Sequence, residues 1–291
     1  MIPVQQIPGI IHRRVGEIVV TALSDGYLDG SLDVLRNIEA TEAADLVRAA
    51  FRPVPRRTSV NCYLVRTAGR TVLIDTGCGD TMQATAGRLF ANLDAAGVPL
   101  AEIDTILLTH MHGDHSNGLT DAAGQALFPN ATVSMHAAEW AYWSDGSNLA
   151  EVQRSGRGVP YFDTAQRQMA PYLDRLDLFE SGEIAPGITA VPLPGHTPGH
   201  TGYRIGSGAD SLLIWGDIAH VPEVQIPRPD VTVIYDVDPA QAEASRRRIL
   251  AETAAAGQLL AGMHLHFPGY AHVTQDGTAY RLVPEPWRQE M

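Results

Sequence analysis

Two cysteines, Cys62 and Cys78, are all that 291 residues contain. They are too few for a disulfide framework, so both are expected as reduced thiols. No apolar run approaches the length of a membrane span. The first eleven residues hold two prolines and two glutamines, not a cationic leader with an apolar stretch behind it. A cytoplasmic protein with no membrane attachment is therefore expected. Positive charge is also scarce: 21 Lys and Arg stand against 33 Asp and Glu, a formal net charge of −12. So acidic a chain lacks the basic face that a nucleic-acid backbone requires. Small substrates are not excluded, because bound cations can dominate the local field. Internal repeats, low-complexity tracts and linkers are missing as well.

What is there is an ordinary globular composition, 45% hydrophobic and 19% charged. The length can bury a sizeable core and is read as one domain over 1–291. Strands are predicted at Ile18–Leu23, Val60–Arg66, Thr71–Ile74, Thr105–Leu108 and Thr132–Met135. Four more follow at Ile188–Val191, Gly202–Ile205, Leu212–Trp215 and Leu259–Met263. Helices are predicted over Met82–Ala96, closed by Gly97, and over Thr41–Phe51 with Thr41 as its cap. A third, Asp238–Ala256, opens with Asp-Pro and closes at Gly257. Strands early and late with helices between them predict layered sheets covered by helices. The polar, Gly-rich stretch from Ser144 to Pro160 reads as a surface or substrate-side loop.

Histidine carries the main signal. Of the eleven present, only His12 and His136 lie outside four short clusters. The first cluster follows an apolar strand: Thr109-His110-Met111-His112-Gly113-Asp114-His115. A strand that ends in a tight turn at Gly113 can aim four ligand-type side chains into one volume. Imidazole and carboxylate are what zinc and similar cations accept. The second cluster, Pro194-Gly195-His196-Thr197-Pro198-Gly199-His200, is a rigid loop behind another apolar strand. The third is Trp215-Gly216-Asp217-Ile218-Ala219-His220, and the fourth runs from His264 and His266 to His272. Together they supply about seven ligand groups, more than the four of a closed structural zinc site, which predicts a catalytic centre with open positions.

These motifs resemble the metallo-β-lactamase superfamily, marked by His-x-His-x-Asp-His with separate His, Asp and His ligands further on. The resemblance begins at Val60-Asn61-Cys62-Tyr63-Leu64 and Leu73-Ile74-Asp75-Thr76-Gly77 and covers nearly the whole chain. It implies an α+β fold, an αβ/βα sandwich of two packed mixed sheets flanked by helices. It also implies two divalent cations, zinc first, with manganese, cobalt or iron as substitutes. His110, His112 and His196 would hold one; Asp114, His115 and His264 would hold the other; Asp217 would bridge them. His-Leu-His-Phe-Pro-Gly is similar to the methyl parathion hydrolase-like branch, which favours His264 over His266 as the ligand. His266 is then a pocket-lining or supporting residue. Asp75 is expected as a carboxylate that orients a ligand or its loop, and His200 and His272 as structural residues.

The expected activity is hydrolysis by hydroxide shared between the cations, with no serine or cysteine nucleophile. Asp114 is expected to orient the nucleophile or shuttle a proton, and His220 to touch substrate, donate a proton or pack beside the site. Lactones or esters, acyl-homoserine lactones among them, are the expected substrates, with organophosphate triesters as a side activity. Trp140, Tyr142, Trp143, Phe267 and Tyr270 are candidates for an apolar pocket or for core packing. Two other reactions share parts of the motif: persulfide dioxygenation at a single iron, and glyoxalase II-type thioester hydrolysis. The resemblance further implies a homodimer.

Overall fold

The structure, a computed structural model, describes residues 6–149, 159–208 and 210–290. Two seven-stranded sheets dominate it. The first runs Ile10–Val15, Ile18–Gly30, Arg56–Thr67, Arg70–Ile74, Thr105–Leu107, Thr132–His136 and Leu176–Phe179 from edge to edge. The second runs Ala279–Pro284, Tyr270–Asp276, Leu259–Ala261, Asp210–Ile214, Thr201–Ser207, Ile188–Pro192 and Gly182–Ala185. Both mix parallel and antiparallel pairs.

Side chains alternate along each strand, and here both faces are buried. Tyr63 and Val65 point into the layer between the sheets, while Cys62 and Leu64 point to the outer helical layer. Such strands read as nearly unbroken apolar runs, which is why the central ones are legible in the sequence. The inter-sheet layer joins Val20, Val72, Ile74 and Leu107 to Tyr203, Ile205, Leu212 and Ile214. Helices Leu89–Ala95 and Val159–Met169 cover the first sheet, and Pro239–Ala256 covers the second. The architecture is the expected αβ/βα sandwich. Each buried Leu, Ile or Val contributes about 1.5–3 kcal/mol by leaving water.

All nine predicted strands form, several of them longer than expected. Pro239–Ala256 is capped by Asp238, whose carboxylate accepts from Gln241 N, and it ends at Gly257 with φ 59°. Two helix readings need correction. The helix expected over Met82–Ala96 is only Leu89–Ala95. Buried Asp25 accepts from the backbone N–H of Cys78, Gly87 and Leu89, so the chain before Leu89 wraps a carboxylate and does not coil. The first helix is Ala40–Ala49, with Glu39 and not Thr41 at its cap. Residues 146–149 are helical where a loop was expected; 150–158 lie outside the described residues. No helix among the described residues is long and apolar enough to cross a membrane.

Strand direction places the site. Arg70–Ile74, Thr105–Leu107 and Thr132–His136 are parallel, so their C-terminal ends share one edge of the first sheet. Ile188–Pro192 and Asp210–Ile214 are both antiparallel to Thr201–Ser207, and Leu259–Ala261 is parallel to Asp210–Ile214. Three strands of the second sheet therefore also end together. The four histidine clusters begin in the loops after these ends, and the fourth runs on to His272 within the strand Tyr270–Asp276.

Candidate metal centre

Behind Thr105–Leu107, Asp75 fixes the first loop. Its Oδ1 accepts from Thr109 N and its Oδ2 from the Thr109 hydroxyl, each at 2.8 Å. Thr109 Oγ1 lies 3.0 Å from His110 Nδ1, and Asp75 Oδ2 lies 2.7 Å from His115 Nδ1. One buried carboxylate thus orients two imidazoles. The short helix Gly113–Ser116 places Asp114 and His115 on a single turn.

The second loop is pressed onto the helix Pro239–Ala256: a Cβ at Gly195 would stand 2.1 Å from Ala242 N. It presents His196, whose Nδ1 lies 2.8 Å from Asp236 Oδ1. His200 donates from Nδ1 to Leu193 O and accepts from Asp217 N at Nε2, which fixes the backbone of Asp217. Burial holds the His200 pKa down to about 3, as both bonds of the neutral ring require. His264 Nδ1 lies 2.9 Å from Ser59 O, and the Asn61 amide holds the loop through Gly262 O and Leu265 O.

Two triads result. His110 Nε2, His112 Nδ1 and His196 Nε2 converge, with 3.0 Å between His112 and each of the others. Asp114, His115 and His264 form the second, with Asp114 Oδ2 at 3.7 Å and 3.4 Å from the Nε2 atoms of the other two. Asp217 Oδ2 stands between them, 3.1 Å from His264, 3.3 Å from His115, 3.4 Å from His196 and 3.7 Å from His110. His220 Nε2 is 3.0 Å from the same oxygen.

The donor set fits cations. Neutral imidazoles share at most one hydrogen across each contact, so lone pairs crowd toward common points. His115 Nε2 and Asp217 Oδ1 are buried with no hydrogen-bond partner, an arrangement that costs about 1–3 kcal/mol per group unless a ligand satisfies it. The outward nitrogens of His110, His115, His196 and His264 are meanwhile held from behind, as metal-binding histidines are.

Burial and the carboxylates of the site pull its histidines in opposite directions. Burial drives His110 and His112 well below the ordinary imidazole value. Burial also opposes charge on His115, but Asp217, Asp114 and Asp75 outweigh it and raise its pKa. Burial opposes ionisation of Asp217, and the surrounding histidines outweigh that and hold it well below the carboxylate range.

The remaining histidines lie elsewhere. His266 pairs with Glu223, and His272 bonds the Gly257 carbonyl at an exposed position. Ser116 donates its hydroxyl to His112 O, and burial pushes the Cys78 thiol up, so neither is a ready nucleophile. Sequence reasoning missed Glu139. It is wholly buried, and its Oε1 accepts from Met111 N and Trp143 Nε1 while its Oε2 accepts from the Thr197 hydroxyl and Gly199 N. It ties the first histidine loop to the second. Asp236, behind His196, was missed too; neither has a local sequence signature.

A cleft of about 180 Å³ opens onto His112, Asp114, Asp217, His220 and His264. Its aromatic walls are Tyr161 and Tyr235. The aromatics noted in the sequence pack elsewhere: Trp143 and Tyr270 are buried in the core, and Trp140, Tyr142 and Phe267 lie against it.

Known proteins corroborate this picture. A sequence model of the metallo-beta-lactamase superfamily matches residues 55–257. The chain is similar to a crystal structure of AbOPH, a hydrolase in the beta lactamase superfamily, with 31% identity and a TM-score of 0.92 over 98% of this chain and 100% of that one. It is also similar to AidC, a dizinc quorum-quenching lactonase, with 25% identity and a TM-score of 0.86 over 97% of this chain and 99% of that one. Among curated sequences it is 29% identical to the uncharacterized protein YobT of Bacillus subtilis (strain 168) over 56% of this chain, a match spanning 63% of YobT. Fold, ligand cluster and these matches agree: the chain belongs to the metallo-beta-lactamase superfamily and stands with its metal-dependent hydrolases.

Proposed function

We propose that the protein is a two-cation hydrolase that opens lactones or cleaves esters, acyl-homoserine lactones among them, with phosphotriesters as a side activity. The observation that carries this reading is the pair of triads on either side of Asp217 Oδ2. His110, His112 and His196 would hold one cation, Asp114, His115 and His264 the other, and Asp217 would serve both. The likeness to a dizinc lactonase over nearly its whole length supports zinc and a lactone. The shared site between two sheets supports reading 1–291 as one domain.

When bound, two such cations polarise the carbonyl or phosphoryl oxygen and bring water to hydroxide near neutral pH. The chain does the rest. Asp75, Asp236 and the Ser59 carbonyl hold His115, His196 and His264 in their tautomers. Asp114, with 17% of its side chain exposed at the cleft, would hold the attacking water and return its proton to the leaving oxygen. Burial keeps His220 neutral, with a pKa of about 4. Its Nε2 lies 3.0 Å from Asp217 Oδ2 and the ring lines the cleft, which supports a role beside the substrate.

The test is a hydrolysis panel on metal-loaded protein: homoserine lactones, aliphatic lactones, aryl esters, phosphotriesters and a chromogenic cephalosporin. Ring opening or ester cleavage with about two metals per chain is expected. One iron per chain with oxygen uptake and no hydrolysis overturns the reading.

A further inference from the structure

The cleft holds one cationic side chain that the reaction does not use. Arg56, at the start of the strand Arg56–Thr67, lies half-buried in the cleft wall beside Tyr235 and across from Asp114. Its Nε donates to Ser31 O at 3.2 Å, and Nη1 donates to the Thr58 hydroxyl. Tyr235 lies beside it in the cleft. A guanidinium carries five N–H donors in a planar fork suited to oxygen acceptors, and these contacts leave donors free. The adjacent Arg57 is paired with Asp29 at 2.9 Å. Arg56 has no such partner among the described carboxylates; Asp114 acts on it only through space.

That charge is poorly balanced. Burial opposes it, and Tyr235 and Asp114 offset only part of the penalty. If Asp114 is committed to a cation, as the proposed function has it, Arg56 faces a positively charged centre with nothing of its own to answer it. A half-buried arginine that faces a cleft in this way calls for an oxygen acceptor from the ligand.

We propose that Arg56, with Tyr235 beside it, is a substrate-binding subsite for a second acceptor oxygen, such as an amide carbonyl or a carboxylate, distinct from the oxygen of the scissile ester. This deepens the proposed function and rests on it: among lactones and esters, the site selects those with an acyl-amide or acidic substituent near the reacting carbonyl. Plain alkyl lactones and neutral aryl esters gain nothing from it.

The experiment compares an N-acyl homoserine lactone with an alkyl γ-lactone of similar chain length, using wild type, Arg56→Met, Arg56→Lys and Tyr235→Phe. Metal content is checked for each. The preference for the amide-bearing lactone, as a ratio of kcat/KM values, is expected to fall about 10-fold or more in Arg56→Met through KM. It should be partly restored in Arg56→Lys and reduced a few-fold in Tyr235→Phe. An unchanged ratio in metal-replete variants overturns the subsite. A second arm measures calorimetric binding of the ring-opened N-acyl homoserine, a carboxylate, to each metal-loaded protein. If wild type hydrolyses neither lactone, the proposed function fails and this arm alone decides. Binding lost in Arg56→Met and kept in Arg56→Lys supports the subsite, and equal binding by all variants refutes it.

Discussion

The two triads share a plan and differ in charge. Each takes two residues from the loop behind Thr105–Leu107 and one from a loop of the second sheet. The first, His110, His112 and His196, is all imidazole and buried. Its negative charge sits behind it, in Asp236 on His196 and in Glu139 between the two loops. The second carries a carboxylate of its own, Asp114, at the cleft, and its second-sheet arm His264 rests on a backbone carbonyl. The first triad thus keeps its carboxylates buried behind its rings, while the second, which shares Asp75 behind His115, also brings a carboxylate of its own to the cleft. Asp217 is common to both.

The largest expected effect comes from removing what they share. Asp217→Asn should lower kcat/KM about 1000-fold or more, roughly 4 kcal/mol of transition-state stabilisation, and loosen both cations. Circular dichroism should show the chain still folded. Activity within tenfold of wild type would contradict the central placement of this carboxylate.

Next is Glu139→Gln, which separates the triads. An amide cannot accept from four donors at both of its ends, so the tie between the loops breaks at Thr197 and Gly199 or at Met111. The first cation should bind about 10–100-fold more weakly, with the second little changed, as read by calorimetric titration of metal-free protein. Equal weakening of both would erase the distinction.

The legibility of the sequence follows the same division. The candidate ligands are readable because they stand in dense local clusters behind apolar strands, as His110 to His115 do. The central strands were readable because burial on both faces leaves unbroken apolar runs. Edge strands such as Gly182–Ala185 and Ala279–Pro284 were not, since half their residues face solvent and no pattern marks them. Glu139 and Asp236 were invisible for another reason. Their role exists only when loops distant in sequence meet, Glu139 with Thr197 and Asp236 with His196. Arg56 was hidden likewise: nothing beside it in the sequence says that it lacks a partner.

The smallest expected effect concerns pH. Burial holds His200 and His220 at about 3 and about 4, whereas unfolded histidines titrate near about 6.5. Between those values the unfolded chain binds more protons, so the stability of metal-free protein rises with pH and is lost as pH falls from about 6.5 toward 4. Thermal unfolding from pH 7 to pH 4.5 should show Tm dropping by several degrees. A flat or rising Tm would mean that these two rings are not held neutral.

The most direct measurement is a zinc titration of metal-free protein by calorimetry, with bound metal counted by elemental analysis. The two-triad account predicts about two ions per chain taken up in two steps, the first step weakened in Glu139→Gln. Saturation at one ion per chain, or two equivalent steps that Glu139→Gln shifts together, would contradict it.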